Sequence, residues 1–137
     1  MAEKFAGRFS LVSSDNFDKY LEKLGVGFMT RKIAATAKPD VEFIINGDKW
    51  TFKTISSVKN YEVSFQLNNE FEETTGDGRK VLSTFTLENG NRLVQRQKAT
   101  KPGEKDSVIV RELNGDDLVV IMQVEDVEAK RIYKRSA

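Results

Sequence analysis

The sequence predicts an all-β protein with one helical insert: a first strand, a helix-turn-helix, and then about nine short antiparallel strands. Two observations predict it. Turn-forming pairs recur at Asn46-Gly47, Ser56-Ser57, Asn68-Asn69, Asp77-Gly78, Asn89-Gly90, Pro102-Gly103 and Asn114-Gly115. Asn-Gly and Asp-Gly supply the positive φ angles of tight hairpins. The segments between them, such as Val41-Glu42-Phe43-Ile44-Ile45 and Val108-Ile109-Val110-Arg111-Glu112-Leu113, are β-branched or aromatic and of strand length. Strands spaced about 8–12 residues apart, without crossover helices, make a sandwich or an up-and-down barrel.

The elements follow in order. Strand one spans about Phe5–Ser13. Ser14 or Asp15 then caps a helix whose Phe17, Tyr20, Leu21 and Leu24 recur at helical spacing, and Gly25 ends it. A second helix, from about Gly27 to Ala37, stops before Pro39, because proline disfavours helical backbone at the residue before it. The remaining chain alternates strands and short turns. One longer polar segment, Ala99–Asp106, reads as an exposed loop. At 137 residues the chain reads as one domain, 1–137, with the helical insert over residues 15–38.

Composition removes several functions. Lys and Arg total 22 against 21 Asp and Glu, a net charge of +1, so no basic field points to nucleic acid. The chain has no Cys and no His, which removes disulfides, zinc-thiolate sites and the commonest general base. No turn has the Gly-Lys-Ser/Thr arrangement of a phosphate-cradling loop, and no other cofactor motif occurs. Glu72, Glu73, Asp116 and Asp117 lack an EF-hand spacing and read as turn and surface charge rather than a metal site. The N-terminus Met1-Ala2-Glu3-Lys4-Phe5 has no signal-peptide core, and no run of about 18 apolar residues occurs, so a cytoplasmic protein is expected.

The residues that suggest chemistry are Arg131 and Tyr133, two apart in a strand-like run and therefore on one face, with Arg111 in another such run. Lys130 and Lys134 occupy the opposite face, with Ile132. A guanidinium inside a barrel is unfavourable unless an anion neutralises it, and a ligand carboxylate fits that role bidentately. An isolated strand arginine is otherwise a solvated outer residue, and periodicity does not decide between the two. Trp50 reads as a strand aromatic without a functional role.

The chain resembles the intracellular lipid-binding proteins, which include the fatty-acid-binding and retinoic-acid-binding proteins. The resemblance is carried by Gly7-Arg8-Phe9-Ser10-Leu11, Asn16-Phe17-Asp18-Lys19-Tyr20-Leu21 and Leu24-Gly25-Val26-Gly27. It continues through Lys38-Pro39, Asn46-Gly47-Asp48, Phe71-Glu72-Glu73-Thr74-Thr75, Asp77-Gly78-Arg79-Lys80-Val81, Val110-Arg111-Glu112-Leu113 and Arg131-Ile132-Tyr133-Lys134. It implies a ten-stranded antiparallel barrel, clam-shaped, with a two-helix cap over a cavity that holds one hydrophobic carboxylate.

By that resemblance Arg131 and Tyr133 contact the carboxylate directly, and Arg111 does so directly or through water. Phe17, Tyr20 and Met29 line the cavity under the lid, with Pro39 at its rim. The portal comprises the second helix, the turn at Ser56-Ser57 and the turn at Thr75–Asp77. Val58 stands where many relatives carry a portal Phe, and the Pro102-Gly103 loop is longer than in the shorter relatives. Retinol-binding relatives carry Gln at the arginine positions, so an acid binder is expected.

The expected function is a non-enzymatic, monomeric carrier of one long-chain fatty acid that works in the cytoplasm, with nuclear access, and delivers to membranes or proteins. A retinoic-acid carrier uses the same three polar residues. A lipid enzyme acting through Tyr133 lacks a nucleophile or base motif, and a pure protein-interaction barrel would have a filled interior. Lys19, Lys23, Arg31, Lys32 and Lys38 make the lid basic against Asp15, Asp18 and Glu22, which suggests transient contact with an anionic membrane surface.

Overall fold

The hairpin succession curls into a nearly closed barrel. The computed structural model describes residues 2–136. Its strands are β1 (Gly7–Asp15), β2 (Asp40–Asn46), β3 (Lys49–Ile55), β4 (Tyr61–Gln66), β5 (Phe71–Thr74), β6 (Lys80–Glu88), β7 (Arg92–Ala99), β8 (Ser107–Asn114), β9 (Asp117–Val124) and β10 (Val127–Arg135). The helices α1 (Phe17–Leu24) and α2 (Phe28–Thr36) lie between β1 and β2. All ten strands belong to one antiparallel sheet, in the order β4-β3-β2-β1-β10-β9-β8-β7-β6-β5.

The expected turns form where glycine or asparagine takes positive φ. Asn89 and Gly90 both do so, at 54° and 76°, in the three-residue connection between β6 and β7. The β9–β10 turn carries no such signature: Glu125 adopts φ 50° there without glycine. Two boundaries also differ from expectation. Phe5 belongs to a short 3-10 turn, Ala2–Phe5, and β1 runs on to Asp15. Asn16, in the left-handed region, is the N-cap of α1, and its side chain donates not to the helix but to the Glu128 carbonyl at 2.8 Å. Ser14 and Asp15 are therefore strand residues, and the helix is tethered to β10 through its cap.

The two ends of the barrel differ. At the end where β1 begins, Phe5, Phe43 and Trp50 are essentially fully buried and meet at ring distances of 5.4–6.1 Å, forming an aromatic plug. Arg135 holds the 3-10 turn against it by donating to the Ala6 and Lys4 carbonyls at 2.9 and 2.8 Å. At the opposite end α1 buries Tyr20, Leu21 and Leu24 against β9 and β10, whereas α2 buries none of its residues. The lid is anchored through α1 alone.

The sheet does not close by hydrogen bonds. β4 and β5 are its two ends and are not paired with each other. Side chains span the seam instead: the Phe65 ring of β4 stacks on Phe85 of β6 at 3.7 Å, and Phe71 of β5 lies 6.4 Å from Phe65 and 6.2 Å from Phe85. The Asn68 amide also donates to the Phe85 carbonyl at 2.7 Å. Phe65→Ala should therefore cost about 3–5 kcal/mol, the range for truncating a packed core phenylalanine. In hydrogen exchange it should expose β4 and β5 before the β8–β9–β10 ladder; uniform loss of protection across the sheet would contradict closure by these rings.

Candidate ligand-binding cavity

Alternation along each strand turns every second side chain inward, and under the lid these enclose a cavity of about 390 Å³. That size lies within the range that holds a small-molecule ligand. Its apolar wall includes Leu24, Val63, Phe85, Ile109 and Met122. Its polar wall includes Arg111 and Arg131, both 8% exposed.

On β10, Ala129, Arg131 and Tyr133 point inward, whereas Lys130 and Lys134 are exposed and Ile132 is partly so. Arg131 is positioned from two sides. A bulge at Val12 shifts the β1–β10 register by one residue, so Leu11 faces Tyr133 but Ser14 faces Arg131. Arg131 Nε donates to Ser14 Oγ at 3.1 Å, and its guanidinium lies 4.2 Å from the centre of the Phe17 ring. Arg131 Nη1 is 3.5 Å from the Tyr133 hydroxyl. Tyr133 is buried behind Arg131 and is not itself in the cavity wall. Burial raises its hydroxyl pKa despite the nearby Arg131 and Arg111 charges, so it remains a neutral donor. No carboxylate among the described residues pairs with Arg131.

Arg111 is held differently. Nη1 donates to Gln95 Oε1 at 2.9 Å, and the guanidinium lies 4.6 Å from the Phe52 ring centre. Gln95 Nε2 in turn donates to Glu73 Oε1 at 3.0 Å. Glu73, only 5% exposed, also accepts from Ser83 Oγ at 2.6 Å and from the Tyr61 hydroxyl. Burial pulls the Arg111 pKa down, and the Glu73 charge works against that shift. Arg111 thus has an internal counter-charge, relayed through Gln95. The expectation that Glu73 is surface charge is wrong: it shares the inward face of β5 with Phe71, two residues away.

Phe17 and Tyr20 of α1 line the cavity, and Tyr20 shares a 2.5 Å hydrogen bond with Ser107. Pro39, Val58 and Asp77 line it too. Met29 does not. It is 69% exposed, because α2 turns Thr30, Ile33, Ala34 and the following Ala37 to the cavity and carries Met29 about 100° round from Thr30. At the portal, Arg79 Nε grips Asp77 Oδ2 at 2.6 Å, and Lys59 donates to the Gly76 carbonyl, joining the β3–β4 and β5–β6 turns. Burial disfavours the Asp77 carboxylate, but the bonds and charge of Arg79, with Thr75, outweigh it and hold the pKa below its ordinary value. A second crevice, of about 570 Å³, opens outside between β1 and the helices and shares Phe17, Leu21, Ala37 and Arg131 with the cavity wall. Among the described residues no cluster of acidic side chains could hold a metal ion.

A capped antiparallel barrel around a mostly apolar cavity, with a buried cation in its wall, defines a ligand-enclosing β-barrel of the calycin type. The sequence model of the Lipocalin / cytosolic fatty-acid binding protein family matches residues 6–136. The chain is 45% identical to Fatty acid-binding protein homolog 5 of Caenorhabditis elegans, over 98% of each chain. It is 46% identical to the adipocyte fatty acid-binding protein of Pygoscelis papua, over 99% of this chain and 100% of that one. A Schistosoma mansoni fatty acid binding protein in complex with arachidonic acid superposes with a TM-score of 0.93 at 40% identity, covering 99% of this chain and 98% of that one. The chain belongs to the lipocalin / cytosolic fatty-acid binding protein family, a family of non-enzymatic lipid-binding carriers.

The Glu73–Gln95–Arg111 relay makes a direct prediction. Glu73→Gln should lower unfolding stability by about 1–3 kcal/mol, since it leaves Arg111 without its counter-charge. The double variant Glu73→Gln/Arg111→Gln should recover most of that loss in urea titrations. Simple additivity of the two single losses would show that the charges are not coupled.

Proposed function

We propose that this protein binds one long-chain fatty acid, with the alkyl chain in the cavity and the carboxylate at Arg131 and Tyr133. One observation carries the reading: Arg131 is a buried, permanent cation in the wall of an apolar cavity, with no carboxylate partner among the described residues. A ligand carboxylate supplies the missing charge at Arg131, whose Nη1 lies 3.5 Å from the neutral Tyr133 hydroxyl. Arg111, compensated by Glu73 through Gln95, contributes at longer range or through water. Each buried CH₂ adds about 0.8 kcal/mol, so tail burial favours long chains while the arginine selects acids. The named ligands of the relatives support the same class.

The protein acts as a monomeric carrier in the cytoplasm that exchanges its ligand at membranes or with other proteins. No helix among the described residues is long and apolar enough to cross a membrane. On the lid, Arg31 pairs with Asp18 and Glu22, and Lys23 with Glu125 and Asp126, whereas Lys19, Lys32 and Lys38 have no ion pair among the described residues. Beside these lysines Phe28 and Met29 are 64% and 69% exposed. A basic surface with exposed apolar side chains suits an anionic bilayer.

Replacing Arg131 by Leu should weaken binding of the acid about 10–100-fold, the loss of a charge-assisted bond, and leave its methyl ester nearly unchanged. The ligand-free variant should be at least as stable as wild type, because an unpaired interior charge is gone. Equal losses for acid and ester in calorimetric titrations would overturn the head-group assignment. For the lid, transfer of a fluorescent fatty acid to vesicles should accelerate with anionic lipid content. Changing Lys19, Lys32 and Lys38 to Gln should abolish that dependence; a wild-type rate indifferent to vesicle charge would rule out the membrane contact.

A further inference from the structure

We infer that Glu73 sets the ionic charge of the ligand: its carboxylate leaves the cavity one positive charge in excess, so the cavity takes a singly charged head group and rejects a doubly charged one such as a phosphate monoester. The inference rests on the carboxylate reading above and deepens it, from acid to monoanion.

The charged groups of the cavity wall sort by burial and partner. Lys59 is exposed at the portal, where solvent and salt screen it. Asp77 and Arg79, also at the portal, neutralise each other across a 2.6 Å ion pair. Three charges remain buried in the wall: Arg111, Arg131 and Glu73. Two guanidinium groups against one carboxylate leave a single positive charge unmatched. A monoanion at Arg131 brings the enclosed charge to neutrality. A dianion overshoots it, in surroundings where an unmatched charge is costly.

Glu73 is fixed in place as the anion of this set. Arg111 Nη1 donates to Gln95 Oε1 at 2.9 Å, and an arginine can only donate. The Gln95 amide therefore has one possible orientation, with its NH₂ toward Glu73 Oε1 at 3.0 Å. Ser83 Oγ donates to the same oxygen at 2.6 Å, and the Tyr61 hydroxyl donates to Oε2. Burial, with the bond to Glu73 and its charge, raises the Tyr61 pKa, so Tyr61 stays a neutral donor. Neutral groups on β4, β6 and β7 thus hold the carboxylate from three strands without cancelling its charge. Its field reaches the cavity through weakly polarisable surroundings. Glu73 acts on a ligand through that field and needs no contact with it.

The test uses two head groups of one tetrahedral shape on the same tail. Hexadecyl sulfate carries one charge, whereas hexadecyl phosphate carries two at about pH 8, above its second pKa of about 6. In calorimetric titrations of the full-length, delipidated wild type, the sulfate should bind about tenfold or more tightly than the phosphate. In Glu73→Gln that ratio should fall to about one or invert, because two positive charges are then unmatched. The double variant Glu73→Gln/Arg111→Gln again leaves one, and should recover the preference for the sulfate. It also removes the relay, so it separates charge from local structure; thermal unfolding verifies that each variant is folded. Equal binding of sulfate and phosphate in the wild type, a ratio unmoved by Glu73→Gln, or a ratio still collapsed in the double variant overturns the inference. Hexadecanoic acid and its methyl ester, titrated alongside, separate the two readings. An acid preference that Arg131→Leu abolishes, with a sulfate-to-phosphate ratio indifferent to Glu73→Gln, keeps the clamp and sinks charge selection. Equal binding of acid and ester removes the clamp, and charge selection with it.

Discussion

Three charged side chains are buried inside this barrel among the described residues, and they do not balance: two are the guanidinium groups of Arg111 and Arg131, one is the carboxylate of Glu73. In a weakly polarisable interior an uncompensated charge is expensive, so the placement of that single carboxylate determines what the cavity can do. It lies within reach of Arg111 through one amide, Gln95, and not beside Arg131. One arginine thus has an internal counter-charge, and the other has none among the described residues. The aromatic faces of Phe52 and Phe17 below the two cations supply weak compensation without consuming their hydrogen-bonding edges.

The rest of the fold protects this arrangement and gives access to it. The Phe5, Phe43 and Trp50 plug concentrates well-packed apolar contact at one end, away from the polar groups. The other end is closed by a helix pair of which only the first is embedded. Stability and access are therefore separated along the barrel axis. The bulge at Val12 links the two regions, since the single added residue sets Ser14 rather than Ser13 opposite Arg131.

Much of the architecture is legible in the residues. Asn-Gly pairs mark hairpins because few other residues tolerate left-handed backbone, and the Gly25 and Pro39 signals bracket the helices. The β9–β10 turn escapes such reading because Glu125 takes the same conformation without the usual residues, its strain borne by the long strands it joins. Inwardness is harder to read than strandedness. Arg131 and Tyr133 share a face, but only the closed sheet makes that face the inner one. Glu73 looks like a surface residue because its partners Tyr61, Ser83 and Gln95 lie on other strands, 10 to 22 residues away in the chain, and no local pattern records them. Met29 misleads for a related reason: apolar character alone does not say which side of a loosely packed helix meets the cavity.

The seam between β4 and β5 gives the barrel a place to stretch. Elsewhere around the circumference, widening would break backbone hydrogen bonds in register, a cooperative and steep loss. At the seam, stacked phenylalanine rings can slide past one another and lose only graded dispersion contact. The hoop is thus stiff along most of its length and compliant at one joint, so its girth can change there without rewriting the register that sets Arg131 and Arg111 in the cavity wall.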